Sequence, residues 1–271
     1  MIVLGAGVAA AHAPESRARR ALVRRHLRRV CGPAISGREL ERRVDAAFVS
    51  YARYWAESLR LPYLDRTTVA AGVIGEGIEH IDAALRAGKG AILALPHLGG
   101  WEWGGAWLAG TGVPVSVVVE RLEPPDVFEW FVGYRRQLGF EVIAVGPDAG
   151  PASLRALRAN RVLCLLCDRV VGGTPGVEVP FFGERTLLPA GPAALARRSG
   201  ATLLPAAVYL GPGADDHLAV VEAPLPVPHT RAVRADILDT TTRLAGALEG
   251  LIRRAPTQWH LMQPNWPSDP R

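Results

Sequence analysis

The apolar residues of this chain follow one pattern up to about residue 70 and another beyond it. In the first part they recur at helical spacing, with Val23, Leu27 and Val30 at i, i+4 and i+7. A second stripe has the same spacing and consists of Val44, Phe48, Tyr51, Trp55 and Leu59. These stripes predict two helices, over about residues 15–30 and 38–61, and Pro62 ends the second.

After residue 70, short apolar runs alternate with segments of helical periodicity. The runs predict strands at Ala91–Leu95, Val113–Val119, Glu141–Val145, Val162–Cys167, Ala201–Tyr209 and Leu218–Glu222. The helices are predicted near residues 76–87, 101–109, 126–138, 151–159, 190–199 and 233–254. Such alternation indicates an α/β fold, a single layered domain with a mostly parallel central sheet flanked by helices. The runs are continuously apolar, which is typical of strands covered on both faces.

We therefore expect one structural domain with two parts. Residues 1–65 form a basic helical N-terminal region packed on or leading into the core, and residues 66–271 form the α/β core. No run of 18 or more apolar residues is present, so no transmembrane helix is expected. Residues 1–13 superficially resemble a signal peptide but lack its basic leading segment, so we interpret them as a helix start or a frayed terminus.

The first predicted helix carries seven arginines on the faces that its apolar stripe leaves free. Two interpretations fit this pattern equally well. A basic amphipathic helix suits an anionic membrane surface. Alternatively, the helix packs on the domain through its Leu/Val stripe and exposes the arginines to solvent.

Charge narrows the choice of partners. The formal net charge is +5, the calculated pI is about 9.5, and Lys89 is the only lysine among 271 residues. Arginine therefore supplies nearly all the positive charge, and it binds phosphate bidentately. Acidic partners are expected: phosphorylated substrates, anionic lipid or nucleic acid. For nucleic acid, the sequence offers no recognition motif.

The three cysteines give no framework spacing for disulfides, and their odd number fits a reducing compartment. Cys164 and Cys167 have the spacing of a redox pair, but they lie in a predicted buried strand. A redox pair normally opens a helix. We therefore interpret both as core residues.

Charged residues follow three of the predicted strands. His97 comes two residues after the first strand, Glu120 and Arg121 directly follow the second, and Asp168 and Arg169 follow the fourth. Ligands of an α/β sheet bind beyond the carboxyl ends of its strands. The sequence therefore predicts that these groups converge on one site.

A carboxylate beside His97 would fix its tautomer and stabilise its protonated form. Glu102 lies five residues later, about 140° away if both were helical. It can meet His97 only if the histidine lies in the loop and Glu102 in the first turn of the next helix. Glu120 is a second candidate, and the residues leave the choice open. No metal-ligand spacing is found among the seven histidines, and no Gly-x-Ser-x-Gly elbow is present.

Taken in order, these residues resemble bacterial lysophospholipid-acyltransferase-like enzymes of the lipid A acyltransferase type, and most of all the actinobacterial phosphatidylinositol mannoside acyltransferases. The resemblance spans roughly residues 25–269. It rests on His97-Leu-Gly-Gly-Trp-Glu102, the H-x4-D/E box of the family, and on Val119-Glu-Arg121, Tyr134-Arg-Arg-Gln-Leu-Gly139, Cys167-Asp-Arg169, Gly176-Val-Glu-Val-Pro-Phe-Phe-Gly183, Pro189-Ala-Gly-Pro-Ala-Ala-Leu-Ala196 and Gln258-Trp-His-Leu-Met-Gln-Pro-Asn-Trp-Pro-Ser-Asp269.

The resemblance implies transfer of a long-chain acyl group, palmitoyl in this interpretation, from acyl-CoA to a mannose hydroxyl of a phosphatidylinositol mannoside. Acyl-CoA is then a co-substrate, and no cofactor is expected. The implied partners are this donor, an anionic glycolipid and the membrane surface, with the protein bound peripherally to the cytoplasmic face of the plasma membrane. By resemblance His97 is the general base, Glu102 belongs to the box, and Glu120 orients the histidine. The substrate-binding candidates are Arg121, Arg135, Asp168, Arg169, Glu178 and Trp101.

In the hypothetical reaction, His97 takes a proton from the acceptor hydroxyl, whose oxygen attacks the thioester. Backbone N–H groups near Gly99–Trp101, or an arginine, stabilise the oxyanion. A groove for the acyl chain is expected among Trp101, Trp103, Trp107, Phe128, Phe131, Phe181 and Phe182. The alternatives are a lipid A type acyltransferase that uses acyl carrier protein, an acyl thioesterase, and a non-enzymatic lipid- or nucleic-acid-binding module.

Overall fold

The computed structural model describes residues 16–270, and two long helices come first in this part of the chain. They are α1, Arg17–Cys31, and α2, Gly37–Arg60. Val23 and Leu27 of α1 are buried in a small apolar cluster with Leu40, Val44 and other residues of α2. The apolar stripe of α1 is thus occupied by protein, which supports the interpretation as a packed helix rather than one that inserts its apolar face into lipid.

The interpretation of residues 1–13 concerns residues outside the described part of the chain and stays a prediction. Within residues 16–270, no helix combines the length and hydrophobicity that crossing a bilayer requires.

Seven strands form the main sheet, in the order β1-β9-β8-β2-β5-β3-β4. Only the β8–β9 pair is antiparallel, and every other neighbouring pair is parallel. The predicted α/β fold with a mostly parallel sheet is therefore confirmed. The strands are β1 Val73–Glu76, β2 Ala91–Leu95, β3 Val115–Val119, β4 Phe140–Ala144, β5 Val162–Leu166, β8 Thr202–Leu210 and β9 His217–Val221.

Helices cover both faces of this sheet. Along β2, Ile92 and Ala94 face one core cluster, while Ala91, Leu93 and Leu95 face the other. Because successive strand residues point to opposite faces, a strand buried on both sides reads as a continuous apolar run. The helices after α2 are α3 Arg66–Ala71, α4 Glu79–Arg86, α5 Trp101–Gly110, α6 Pro125–Gln137, α7 Ala149–Arg158, α8 Gly191–Ser199 and α9 Val233–Arg254, with 3-10 turns at Leu61–Tyr63 and Pro256–Gln258.

The sequence did not predict three strands. The edge strand β1 is short and its last three residues are exposed, so it carries no apolar run. Strands β6 Gly176–Phe181 and β7 Glu184–Pro189 form a separate antiparallel hairpin, in a part of the chain where the sequence analysis predicts neither strand nor helix. Phe182 and Gly183 connect them, both at positive φ (52° and 80°), as the central residues of a type I′ hairpin turn are.

Candidate active site

His97 and Asp168 meet because the ends of two neighbouring strands are in register. Leu95 of β2 pairs with Leu166 of β5 in the parallel ladder, and each reactive residue lies two positions further along. The Nδ1 atom of His97 lies 2.5 Å from Oδ1 of Asp168. The backbone N–H of His97 donates to the other carboxylate oxygen, Oδ2, at 3.0 Å.

The Asp168 side chain is buried and ionised. Burial by itself would raise its pKa, but the charge of His97 and the hydrogen bonds from His97 and Trp259 outweigh that effect, and the net pKa lies below its usual range. The indole Nε1–H of Trp259 donates to Oδ2 at 2.7 Å, and the Asn265 side chain donates to the backbone carbonyl of Asp168 at 2.9 Å.

An ionised Asp168 determines the tautomer of His97. Because a carboxylate only accepts hydrogen bonds, Nδ1 of His97 must carry the proton, which leaves the lone pair of the neutral ring on Nε2. The side chain of His97 is 19% exposed, and the indole of Trp101 lies edge-on at 5.7 Å between ring centroids. His97 therefore has the hydrogen-bond pattern of a general base that solvent and ligands can reach.

The structure does not bring Glu102 to His97. His97 lies in the loop and Glu102 in the first turn of α5, as the pairing required, but Oε1 of Glu102 accepts a hydrogen bond from Arg135 of α6 at 2.6 Å. Burial by itself would lower the pKa of Arg135, but the charge and hydrogen bond of Glu102 outweigh it and leave the pKa raised. This ion pair, in which Glu102 is buried and Arg135 is partly exposed, links α5 to α6.

Glu120 is likewise engaged elsewhere. It directly follows β3, and its carboxylate forms an ion pair with Arg169, which follows Asp168 at the end of neighbouring β5. The expectation that Glu102 or Glu120 pairs with His97 is therefore wrong, since the carboxylate at the imidazole is Asp168, which the sequence had assigned to substrate binding. The catalytic roles of all three stay predictions.

The other two charged candidates lie at the surface. Arg121 is exposed, with its guanidinium 5.7 Å from the centroid of the Phe128 ring. Glu178 lies on the β6–β7 hairpin, where it is exposed and pairs with Arg185 of the opposite strand. The structure gives Glu178 no contact with His97 or Asp168 within residues 16–270.

The backbone around the glycines leaves few N–H groups for an oxyanion. The N–H of Gly99 donates to the carbonyl of Gln258, and that of Gly100 donates to the carbonyl of Val208, both at 2.9 Å. The expected contribution of these two amides is therefore excluded in this arrangement. Helix geometry instead leaves the first-turn N–H groups of α5, which begins at Trp101, without intrahelical partners.

An apolar cavity of about 90 Å³ lies between the sheet and the α4–α5 layer. It reaches the strand ends, and Leu95 and Trp101, which lie on either side of His97 in the sequence, line it, whereas His97 does not. Glu102 and Arg135, already paired, are the charged residues of its wall. Of the seven aromatic residues expected in a groove, Trp101 and Trp107 line this cavity. By contrast, Phe181 and Phe182 belong to the core cluster that contains Trp259.

Of the two cysteines in the β5 segment, Cys167 is buried and Cys164 is partly buried. Burial, with a smaller effect of Glu102, raises the pKa of Cys164 to about 12, and burial also raises that of Cys167. Thiols that stay protonated do not attack disulfides, so the structure supports their interpretation as core residues.

Three residues of the C-terminal segment contact the site without having been assigned a role from the sequence: Trp259, His260 and Asn265. The backbone N–H of His260 donates to the carbonyl of His97 at 2.7 Å, and its Nε2 lies 2.9 Å from the Ser50 hydroxyl. Burial, with a smaller effect of His97, lowers the pKa of His260 to about 3. The segment was noted for its resemblance alone, and nothing in its spacing showed that it folds back over Asp168.

The chain matches the family described as bacterial lipid A biosynthesis acyltransferase over residues 2–268. It is 39% identical to the phosphatidylinositol mannoside acyltransferase of Mycolicibacterium smegmatis over 253 residues, which cover 91% of this chain and 79% of that protein. It is 40% identical to the protein of the same name from Mycobacterium tuberculosis H37Rv over 231 residues, or 83% of this chain and 70% of that protein. The chain belongs to the lipid A biosynthesis acyltransferase family. The resemblance predicted from the sequence is thereby confirmed, and membership of the family makes this chain an acyltransferase.

Proposed function

We propose that the chain transfers a palmitoyl group from acyl-CoA to a mannose hydroxyl of a phosphatidylinositol mannoside, with His97 as the general base. The acceptor is inferred from the names of the two mycobacterial relatives. The observation that carries the chemistry is the His97–Asp168 pair, held at the strand ends beside an apolar cavity.

The proposed reaction uses Nε2 of His97 twice. It accepts the proton of the acceptor hydroxyl while the oxygen of that hydroxyl attacks the thioester carbonyl. A tetrahedral intermediate forms, its C–S bond breaks, and coenzyme A leaves as the thiolate, which takes the proton back from the imidazolium. Asp168 stabilises the imidazolium between these steps, so the pair is expected to contribute about 10²–10⁴-fold to the rate.

The oxyanion of the intermediate requires a donor in this arrangement. The first-turn N–H groups of α5, beginning at Trp101, are suited to it because they lie at a helix N-terminus next to His97. Such a donor is typically worth about 10²–10³-fold in rate. Arg121 and Arg169, at the same edge of the sheet, are the proposed contacts for the phosphates of coenzyme A or of the lipid.

The apolar cavity is the proposed binding site of the acyl chain. Its wall is neutral overall because the charges of Glu102 and Arg135 cancel. Its volume of about 90 Å³ is below the range of about 300–1,000 Å³ that is usual for ligand pockets. We therefore expect side chains of the wall, Trp107 among them, to move apart when a long chain enters.

We further propose that the protein acts at the cytoplasmic face of the plasma membrane as a peripheral protein. Arg17, Arg19, Arg25 and Arg28 of α1 are exposed, and the apolar face of α1 is buried against the domain. Attraction to anionic lipid headgroups, at about 1 kcal/mol per arginine near the surface, would then hold the protein there. Sedimentation with anionic vesicles, and its loss at high salt, tests this part of the proposal.

Mass spectrometry of glycolipids tests the transfer reaction. The purified protein is incubated with labelled palmitoyl-CoA and phosphatidylinositol mannosides, and the product should gain one palmitoyl group. Further incubations replace the donor by palmitoyl-acyl carrier protein or omit the acceptor. Labelled product from the carrier protein alone would identify the other donor class, and free fatty acid without product would identify a thioesterase.

Replacement of the base provides the matched comparison. His97→Ala should lower turnover by several orders of magnitude, while His229→Ala, which changes an exposed histidine in the loop before α9, should leave it unchanged. Near-normal turnover of His97→Ala would show that this histidine is not the base.

A further inference from the structure

The second oxygen of the Asp168 carboxylate carries a contact that the proposed mechanism does not use. Oδ1 faces the His97 ring, whereas Oδ2 accepts the indole Nε1–H of Trp259 at 2.7 Å and the backbone N–H of His97 at 3.0 Å. Both donors on Oδ2 are neutral. Together they fix the rotation of the carboxylate and therefore the direction in which Oδ1 points.

Trp259 is itself held firmly by its surroundings. Its side chain is buried, and its ring lies within 6.2 Å of the rings of Phe181 and Trp266 between centroids. Its backbone forms an isolated bridge with Leu98, the residue after His97. Trp259, which donates to Oδ2 of Asp168, is therefore fixed to the loop that carries His97.

The rest of the C-terminal segment is anchored to α1. The Asp269 carboxylate accepts the backbone N–H groups of Asn265 and Trp266, and also hydrogen bonds from Arg29 at 2.7 Å and His26 at 3.2 Å. Burial by itself would raise the pKa of Asp269, but the hydrogen bonds from these partners outweigh it and hold the pKa well below its usual range. The C-terminal segment is thus held at the site by polar contacts at both of its ends, Trp259 with Asp168 and Asp269 with α1.

We propose that Trp259 is a positioning residue for the His97–Asp168 pair. The indole N–H of Trp259 holds the Asp168 carboxylate in the plane of the imidazole and limits the basicity of that carboxylate. The proposal rests on the proposed role of His97 as the base. Removal of the N–H should have two consequences. The carboxylate becomes freer to rotate, and its remaining negative charge is concentrated on the hydrogen bond to His97.

Trp259→Phe removes the N–H and keeps an aromatic ring. Trp266→Phe is the matched control, because Trp266 is an equally buried tryptophan of the same segment whose Nε1–H donates to the Phe181 carbonyl instead. We expect Trp259→Phe to lower kcat about ten- to a hundredfold, the range for loss of a hydrogen bond to a charged group, with little change in KM. The acidic limb of its rate profile should move to higher pH, because a more basic carboxylate stabilises the imidazolium.

A proton NMR measurement is independent of the reaction. The His97 Nδ1–H proton should resonate at low field in the native protein and move further downfield in Trp259→Phe, but not in Trp266→Phe. Equal kcat, pH profile and resonance position in the two variants would overturn the proposal and make Trp259 a packing residue. A native protein that lacks acyl transfer but shows the downfield shift would refute the proposed function and leave this inference standing.

If Trp259→Phe does not fold, a measurement on the native protein and on Asp168→Asn still tests the proposal. The Trp259 indole proton should then be protected from exchange in the native protein, and it should move upfield in Asp168→Asn, where a neutral oxygen replaces the carboxylate. An indole proton that exchanges freely, or that does not respond to Asp168→Asn, would overturn the proposal.

Discussion

Asp168→Asn should invert the tautomer of His97 without changing the shape of the site. The asparagine oxygen is expected to occupy the Oδ2 position, because two donors, the N–H of His97 and the Nε1–H of Trp259, already point there. The amide nitrogen then faces Nδ1 of His97 and donates to it. Nδ1 becomes the acceptor, the ring proton moves to Nε2, and the lone pair needed for catalysis no longer faces the acceptor.

The magnitude follows from what is lost. The hydrogen bond between Nδ1 and Oδ1 is 2.5 Å long and involves a fully buried carboxylate. Its replacement removes both the correct tautomer and the charge that stabilises the imidazolium. We expect kcat to fall by about 10³–10⁴-fold, the upper part of the range for general-base catalysis. At about 1.4 kcal/mol per factor of ten, this is a rise of about 4–5.5 kcal/mol in the activation free energy.

The assay is single-turnover transfer of labelled palmitoyl groups, followed by mass spectrometry, with circular dichroism to show that the variant is folded. Glu120→Gln is the control. Its carboxylate pairs with Arg169 rather than His97, so kcat should fall less than about tenfold, in line with the small energies of partly exposed ion pairs. An Asp168→Asn variant whose kcat stays within tenfold of the native value would refute the assignment of Asp168. So would a Glu120→Gln variant whose kcat falls as far as that of Asp168→Asn.

Three other outcomes follow from the same contacts. Glu102→Gln should lower the free energy of unfolding by about 1–3 kcal/mol in urea denaturation, because it leaves the largely buried charge of Arg135 without a counter-ion. The double variant Glu102→Gln/Arg135→Met should recover part of this loss. His260, with a pKa of about 3, stays neutral in the folded chain but protonates in the unfolded chain below about pH 6.5. The free energy of unfolding of the native protein should therefore fall as the pH is lowered from about 6.5 to 5. His260→Asn should make this fall smaller by up to about 1.4 kcal/mol per pH unit, as measured by urea denaturation at each pH. Cys164→Leu narrows the cavity, so competition between acyl-CoA lengths should shift by about tenfold towards shorter chains.

The strands that carry the site could be read from the sequence because they are buried on both faces. Each gives an apolar run that ends at the point where a charged residue follows, as Leu166 ends β5 before Cys167 and Asp168. Placement of His97 and Asp168 at one edge therefore needs only the rule for parallel sheets. Their pairing needs the strand order as well, since β5 lies next to β2 while β3 lies one strand further away.

The partners of the carboxylates could not be predicted from spacing. Glu102 is five residues from His97, yet it is satisfied by Arg135, 33 residues away on α6. Asp168 is 91 residues from Trp259, and the C-terminal segment carries no apolar periodicity that would have placed it over the sheet. Contacts of this kind depend on tertiary packing, which local sequence patterns do not predict.

The distribution of arginines explains why the three candidate carboxylates, Glu102, Glu120 and Asp168, differ in their chemistry. Glu102 accepts from Arg135 and Glu120 from Arg169, so the charge of each is balanced by a guanidinium within hydrogen-bond distance. The side-chain hydrogen bonds of Asp168 within residues 16–270 come instead from Trp259 and from His97 itself. No guanidinium among these donors balances the negative charge of Asp168, and in a buried site such a charge acts strongly on the nearest titratable group. Asp168 can therefore stabilise an imidazolium at His97, whereas in the other two pairs the negative charge is already balanced by an arginine.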